Sequence, residues 1–368
     1  MSDGGQILVR AGNARYPVIF ADYRRRLATY IGPRKRVVVI SNATVYALHG
    51  PVLVSDILPG GCDIIPLIIG DGERYKNLRT VRLIYDHLLD LGMGRDDVII
   101  AFGGGVVLDT AGFAAATFKR GIGLIHIPTT LLSMVDAAIG GKVAVNHAQG
   151  KNLIGAFYQP RAVAIRPEWL ATLGKREVTE GLAEMIKAGF LTSFAMLGQT
   201  LACGRIDPIS GFGRFEQVIK RAIRIKAEIV GEDIFDVGRR QILNFGHTFA
   251  HAVEQVEGYR RYRHGEAVMA GMAGALYLSY VTGQMSKRSM MQLTGHLRPF
   301  MNRLPPLDKP VNDYLIPMSV DKKRKHRRAV FVLLRRVGRP VIKSVDSRAA
   351  IIESIEYMKD VVNYRGEM

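Results

Sequence analysis

Val98-Ile-Ile-Ala-Phe102-Gly103-Gly104-Gly105-Val106-Val-Leu-Asp109 is the stretch from which the first half of the chain is read. The unbroken apolar run Val98–Phe102 suits a strand buried on both faces, and Val106–Phe118 continues with helical character. Glycines at 103, 104 and 105 let a backbone approach a pyrophosphate closely, at a helix N-terminus that favours negative charge. The same triplet serves equally as a tight strand–helix turn with no ligand, and it is not the G-x-G-x-x-G fingerprint. Asp109, one turn into the helix, can accept from a ribose hydroxyl or a nicotinamide amide. Alternatively it only complements the helix dipole.

Working outward, Val37–Ile40, Ile64–Ile69 and Leu124–Ile127 are further apolar runs bounded by turn or polar residues. Helical patterns lie between them, notably Asn77–Leu91, which stops at Gly92. Such alternation predicts a doubly wound, nucleotide-binding α/β domain. From about Arg176 long helical patterns take over: Arg176–Phe190, Phe215–Val230, Arg239–Glu257, Glu266–Thr282 and Ala349–Asn363, with a late strand at Ala329–Leu334. The expected fold class is therefore α/β, with an N-terminal nucleotide-binding domain over 1–175 and a mainly helical metal- and substrate-binding domain over 176–368. The segments Cys203–Arg214 and Leu304–Pro310 read as loops inside the second half.

Bulk properties bound the function. A chain of 368 residues can bury two sizeable cores, and 48% hydrophobic with 23% charged residues is ordinary for a globular protein. Cys62 and Cys203 make neither a disulfide framework nor a cysteine-based zinc site, which suits a reducing cytoplasm. The opening residues lack a signal-peptide core, and the apolar stretch Ala267–Val281 is too short to span a membrane and reads as a buried helix. The net charge of +18 raises nucleic-acid binding as a class. The basic residues are spread along the chain and no nucleic-acid module is visible, so no nucleic-acid partner is expected. The densest basic run, 321–328, reads as a solvated loop, or as a source of positive potential for a phosphorylated, carboxylated substrate.

Three segments carry candidate chemistry. Asn244-Phe-Gly-His247-Thr-Phe-Ala-His251 sets histidines four apart on one helical face, and His264-Gly-Glu follows a short polar loop. Converging histidines with a carboxylate make a zinc site with an open position, although a histidine pair on a helix serves structure as readily. Glu184 and Lys187 stand in the otherwise apolar Gly181-Leu-Ala-Glu184-Met-Ile-Lys187, where ionisable groups need a partner or a task. Thr129, Thr130, Asp136, Lys142, Lys151 and Asn152 give a Gly-rich stretch unusual polarity, as an anion pocket or as a solvated loop.

Read together, these motifs resemble the 3-dehydroquinate synthase family. The resemblance rests on Gly103-Gly-Gly-Val-Val-Leu-Asp109-Thr-Ala-Gly-Phe, Ile127-Pro-Thr-Thr-Leu-Leu, Asp136-Ala-Ala-Ile-Gly-Gly-Lys142 and Gly150-Lys-Asn-Leu-Ile-Gly-Ala-Phe-Tyr-Gln-Pro160. Leu243-Asn-Phe-Gly-His-Thr, His264-Gly-Glu and Asp321-Lys-Lys followed by Val330-Phe-Val-Leu-Leu extend it over nearly the whole chain. It implies that Glu184, His247 and His264 bind zinc or cobalt. It implies NAD contacts at Asn42, Asp71, Glu73, Lys76, Gly103, Gly104, Gly105, Asp109, Thr129, Thr130, Lys142, Lys151 and Thr172. Substrate contacts fall on Asp136, Lys142, Asn152, Lys187, Lys226, Arg240, Asn244, His251 and Lys322, with Lys323 a near alternative to the last. His251 is the candidate for moving a proton near a leaving phosphate. Arg120 resembles an arginine that completes a neighbouring subunit's pocket, which implies a homodimer.

The implied activity is a carbon–oxygen lyase reaction on a small sugar phosphate, converting 3-deoxy-arabino-heptulosonate 7-phosphate to 3-dehydroquinate and phosphate. Arg240, Asn244 and Lys322 resemble a carboxylate clamp, which favours this substrate over those of ring-forming relatives that lack a carboxylate. An amino-analogue synthase would keep the same clamp. The chain departs from the family pattern at Leu108, at Val143-Ala144, at Asp236 where Glu is usual, and in the absence of a glycine from the basic run. Metal-dependent polyol dehydrogenases are the rival class. They share the two-domain plan and the glycine triplet but lack the Lys142, Lys151-Asn152 and Arg240 cluster, having no phosphate to expel.

Overall fold

The protein is described by a computed structural model covering residues 5–32, 35–204, 212–258, 261–325 and 329–364. Its strands are β1 (Gln6–Ala11), β2 (Ala14–Ile19), β3 (Arg36–Asn42), β4 (Asp63–Ile69), β5 (Val98–Gly103), β6 (Gly123–Pro128), β7 (Lys142–His147), β8 (Gly150–Phe157), β9 (Ala162–Ala164), β10 (Val330–Arg336) and β11 (Arg339–Ser344). Helices α1 (Tyr23–Ile31), α2 (Ala43–Val52), α3 (Leu78–Asp90), α4 (Gly105–Thr117), α5 (Lys175–Thr192) and α6 (Phe194–Cys203) come first. They are followed by α7 (Phe212–Glu232), α8 (His247–Val256), α9 (His264–Val281), α10 (Lys287–Met301), α11 (Val311–Lys325) and α12 (Arg348–Asn363). The chain divides into two compact units, one of Met1–Gly174 with Phe215–Phe235 and one of Lys175–Arg214 with Asp236–Met368.

The first unit holds a seven-stranded sheet in the order β1-β2-β9-β6-β5-β3-β4. Every neighbouring pair is parallel except β1 with β2. Side chains alternate across a pleated strand, so continuous apolar runs are required when both faces are covered. On one face Val37, Val39, Ile100, Phe102, Ile125 and Ile127 pack with Leu27, Ile31, Leu53 and Ile57. The alternate residues Val38, Ile40, Ile99 and Ala101 are equally buried on the other face. From β3 the chain moves outward to the edge strand β4 and then returns to β5 on the opposite side of β3. That reversal leaves a crevice beyond the carboxyl ends of β3 and β5, at Asn42 and Gly103, where open α/β sheets bind ligands.

Among the described residues, the second unit's only strands are those of the β10–β11 hairpin, and the rest of its regular structure is helical. Its central helix is α9, whose residues Gly265–Leu276 are all buried. The apolar stretch Ala267–Val281 is thus a core helix, and among the described residues no helix is long and apolar enough to cross a membrane.

The structure departs from the sequence expectations at four places. Arg239–Glu257 is not one helix: a 3₁₀ turn over Arg239–Asn244 is followed by α8, because Gly246 takes a left-handed φ of 81° that a helix interior cannot contain. The polar stretch after Asp136 forms the β7–β8 hairpin, with Val143 and Val145 buried beneath its lysines and asparagines. Asp321–Lys325 extends α11 instead of forming a loop, since Lys and Arg are good helix formers. The side chains of Lys322 and Lys323, and residues 326–328, lie outside those described. Finally α7 groups with the first unit although it follows residue 175 in sequence. Most of the loop expected at Cys203–Arg214 also lies outside the described residues.

Candidate functional site

In the second unit Glu184, His247 and His264 offer one ligand atom each, all within 4.8 Å of one another. Local sequence explains their convergence. The left-handed Gly246 ends the 3₁₀ turn and makes His247 the first residue of α8. His264 is likewise the first residue of α9, where Glu266 accepts the Arg263 amide at 2.9 Å and caps the helix. The two helices approach so closely that a Cβ on Gly271 would lie 2.2 Å from the Gly246 carbonyl oxygen. Glycine is therefore required there by space. Helix α5 brings Glu184 and is tied to α9 by Arg176, which donates to both Glu266 oxygens at 2.7 and 2.6 Å. Arg263 joins the same network through Glu177 and Glu180 at 2.5 and 3.3 Å.

The three ligand candidates have distinct electrostatic surroundings. Glu184 is only 5% exposed, one carboxylate oxygen lies against the Lys187 ammonium, and the other, Oε1, has no hydrogen-bond partner. That orphaned Oε1 is 3.7 Å from His247 Nε2 and 3.9 Å from His264 Nε2. A buried carboxylate oxygen left without a donor is costly unless a cation takes the place of one. Burial first, then the Lys187 ammonium and the neighbouring His264 and His251, hold the His247 imidazole well below its usual range. It is neutral at physiological pH, as a metal ligand must be. Its Nδ1 lies 3.3 Å from the Phe245 carbonyl oxygen, which can only accept, so the proton sits on Nδ1 and the Nε2 lone pair faces Glu184.

This set fits a divalent metal. Two imidazoles and a carboxylate suit zinc or cobalt, and bonds of about 2.0–2.1 Å at tetrahedral angles bring donors to roughly 3.3 Å of each other. The observed separations from Glu184 Oε1 need close by only a few tenths of an ångström. Three protein ligands leave a position for substrate, the arrangement of a catalytic site. His251 is exposed on the same face of α8, its ring centroid 5.8 Å from that of His247, and does not belong to the converging set. Arg240 is 2% exposed on the 3₁₀ turn, and Asn244 closes that turn.

In the first unit the nucleotide candidates line up where the sheet topology calls for a ligand. Asn42 ends β3, caps α2 by accepting from the Val45 amide at 2.8 Å, and donates to Asp71 at 2.9 Å. Gly103 ends β5, Gly104 caps α4 and Gly105 opens it. A Cβ on Gly103 would lie 2.8 Å from Val107, and one on Gly104 3.3 Å from Thr130, so the turn is bare backbone by necessity. Thr129 and Thr130 follow β6, and the buried Thr129 hydroxyl has no hydrogen-bond partner. Lys76, 5% exposed, lies 2.5 Å from both Asp109 Oδ2 and Asn152 Oδ1. Burial pushes the Asp109 carboxyl up while Lys76 opposes that shift. Glu73 accepts from Asn146, whose own oxygen accepts the Asn152 amide, so the hairpin is stitched to the Glu73–Lys76 segment.

Other predicted residues fall around this cluster. Lys226, on α7, donates to the Asp136 carbonyl at 2.6 Å and contacts its carboxylate. Lys142 opens β7 and Lys151 lies at the start of β8. Thr172 does not join the glycine turn: its hydroxyl pairs with His49 at 3.0 Å and donates to the Trp169 carbonyl at 2.9 Å. Arg120 and Asn152 hold left-handed backbone, φ 64° and 55°, which costs a non-glycine residue about 1 kcal/mol or more.

Sequence reasoning missed Glu254, whose Oε1 is 3.5 Å from His264 Nδ1. It also missed the Arg176–Glu266 pair and Asn146. The available signal for Glu254 was its spacing, two helical turns beyond His247.

The model for 3-dehydroquinate synthase N-terminal matches residues 66–180 and that for 3-dehydroquinate synthase C-terminal matches residues 181–324. A 3-dehydroquinate synthase of Syntrophotalea carbinolica is 39% identical over 351 residues, 94% of this chain and 97% of that protein. Among solved structures, 2-deoxy-scyllo-inosose synthase complexed with carbaglucose-6-phosphate, NAD+ and Co2+ aligns with TM-score 0.84 at 26% identity, covering 95% of this chain and 99% of the other. The 2-epi-5-epi-valiolone synthase from Streptomyces hygroscopicus with NAD+ and Zn2+ bound aligns with TM-score 0.84 at 25% identity, covering 95% and 98%.

Proposed function

This chain belongs to the 3-dehydroquinate synthase family, and from that premise we propose how its residues carry out the conversion of 3-deoxy-arabino-heptulosonate 7-phosphate to 3-dehydroquinate and phosphate. When bound, the metal would supply Lewis acidity at a secondary alcohol of the substrate and NAD a reversible hydride acceptor, chemistry that allows elimination of phosphate and an aldol ring closure without net redox change.

The residues divide the remaining work. Glu184, His247 and His264 hold the metal, and Lys187 compensates the Glu184 charge from its outer oxygen. Gly103–Gly105 and the start of α4 receive the pyrophosphate, with Asn42, Asp71, Glu73, Thr129, Thr130, Lys151 and Thr172 around the nucleotide. Asp109, kept in place by Lys76, accepts from a hydroxyl or amide of the cofactor. Lys142, Asn152 and the Lys226–Asp136 pair contact the substrate. Arg240 and Asn244, with Lys322 by resemblance, take its carboxylate. His251 stands one helical turn from the ligand His247 and moves a proton near the departing phosphate. Arg120, in strained backbone, completes the pocket of a second copy, so the working form is a homodimer. The thiols of Cys62 and Cys203 are both free, which accords with a cytoplasmic enzyme.

The observation that carries this reading is the buried, unpartnered Glu184 oxygen facing two imidazole Nε2 atoms. The test is phosphate release from the heptulosonate phosphate and from sedoheptulose 7-phosphate, each with and without a chelator. Chelator-sensitive release from the carboxylated substrate, with NAD needed only in catalytic amount, is expected. Preferential turnover of sedoheptulose 7-phosphate, or stoichiometric accumulation of NADH, overturns it.

A further inference from the structure

We propose that Glu254 is a positioning residue for the metal centre: its carboxylate holds the Nδ1 proton of His264, so that Nε2 is the nitrogen presented to the metal. This rests on the reading of Glu184, His247 and His264 as metal ligands.

The argument begins with helical periodicity. On α8, positions 247, 251 and 254 share one face, because residues four and seven apart nearly eclipse in an α-helix. Glu254 is 3% exposed and surrounded in its own helix by the buried residues Ala250, Ala252 and Val253. A carboxylate so placed needs a partner or a task. Its Oε1 lies 3.5 Å from His264 Nδ1, while the other nitrogen of that ring lies 3.9 Å from Glu184 Oε1. A carboxylate can only accept, and Glu254 is the nearer of the two while Nε2 is the nitrogen turned to the ligand cluster, so the Nδ1 proton faces Glu254 and the lone pair is left on Nε2.

The two histidine ligands are thus oriented by different acceptors. His247 Nδ1 faces a main-chain carbonyl, which no substitution removes, whereas His264 Nδ1 faces a side-chain carboxylate. The charged acceptor also raises the donor strength of the imidazole it holds. Residue 254 is therefore a side chain through which this centre can be weakened without touching a ligand.

The test uses the full chain stripped of metal. Zinc affinity is measured by chelator competition for the wild type, Glu254→Gln and Glu254→Asp. Removing an outer partner of a ligating histidine costs about 10–100-fold in metal affinity, and that loss is expected for Glu254→Gln, with partial recovery in Glu254→Asp. The Co2+ absorption spectrum of Glu254→Gln should shift as well, which a purely structural role would not cause. Unchanged zinc affinity in Glu254→Gln, with the wild type binding one zinc, overturns this proposal alone. Failure of the wild type to bind zinc overturns the metal reading beneath it. Should Glu254→Gln fail to fold, the tautomer decides: NMR of isotopically labelled histidine in the metal-free wild type should show His264 protonated on Nδ1, and protonation on Nε2 overturns the proposal.

Discussion

Replacing Gly271 by alanine should separate the geometry of the metal centre from the stability of the fold. The added Cβ would lie 2.2 Å from the Gly246 carbonyl oxygen and 2.8 Å from the Ala250 amide nitrogen, both main-chain atoms of the neighbouring helix. Close carbon–oxygen contacts settle near about 3.3 Å, so α8 and α9 must part by roughly 1 Å. Gly246 immediately precedes His247, and Gly271 lies two turns along the helix that begins at His264. Metal bonds tolerate displacements of about 0.2 Å, far less than this separation. Zinc affinity is therefore expected to fall by at least an order of magnitude. Stability should change less, because overpacking costs about 1–3 kcal/mol while alanine in place of a helical glycine returns ~1 kcal/mol. Gly274→Ala is the control, since its Cβ would meet the Phe249 ring at 3.0 Å, a side chain that can turn aside. Chelator competition gives the affinity and thermal unfolding of the metal-free protein gives the stability. A Gly271→Ala protein that binds zinc as the wild type does would refute the claim that glycine-mediated helix contact sets the ligand spacing.

Two further expectations concern the first unit. Lys76→Met leaves the partly buried Asp109 carboxylate without its cation, so NAD affinity should fall about tenfold and the urea midpoint should drop, by less than the ~3–5 kcal/mol that breaking a fully buried pair costs. Adding Asp109→Asn should recover stability in the double variant, and a double variant no more stable than Lys76→Met would show that the pair is not the coupling. His126 is 1% exposed, and burial takes its imidazole down to about 3 from 6.5, so between those values the unfolded chain binds a proton that the folded chain refuses. Stability therefore rises with pH through that window and falls on acidification, by about 2 kcal/mol between pH 6.5 and pH 5. His126→Leu should flatten that dependence in denaturation curves, and an unchanged slope would assign the loss to other groups.

The strands of the first unit were legible because burial on both faces demands unbroken apolar runs, and Val37–Ile40 and Val98–Phe102 are such runs. The β7–β8 hairpin was not, because its solvent side carries Lys142, Lys151 and Asn152, whose polarity masks the alternation of the buried Val143 and Val145. The break at Gly246 was hidden for another reason. Apolar spacing is helical on both sides of it, and only a backbone angle distinguishes an interrupted helix from a continuous one. Helix α7 follows residue 175 in the chain, yet packing groups it with the first unit, where its Lys226 meets Asp136. Order along a chain does not determine which core an amphipathic helix covers.

The metal centre shows the same limit at the scale of single atoms. The sequence shows a histidine pair four residues apart on one helical face, able to converge on a metal. Only His247 joins the cluster, because the helix begins at that residue and its ring faces Glu184, while His251 one turn later is exposed. The third member of the cluster, Glu184, lies on a helix more than sixty residues earlier in the chain, buried among apolar neighbours. Residue type and period thus locate the groups able to bind a cation. Which nitrogen of each ring carries the lone pair depends on what sits behind it: the Phe245 carbonyl for one and the Glu254 carboxylate for the other. Those outer contacts are made across helices, by residues whose types are commonplace, and so they emerge only when the helices are assembled.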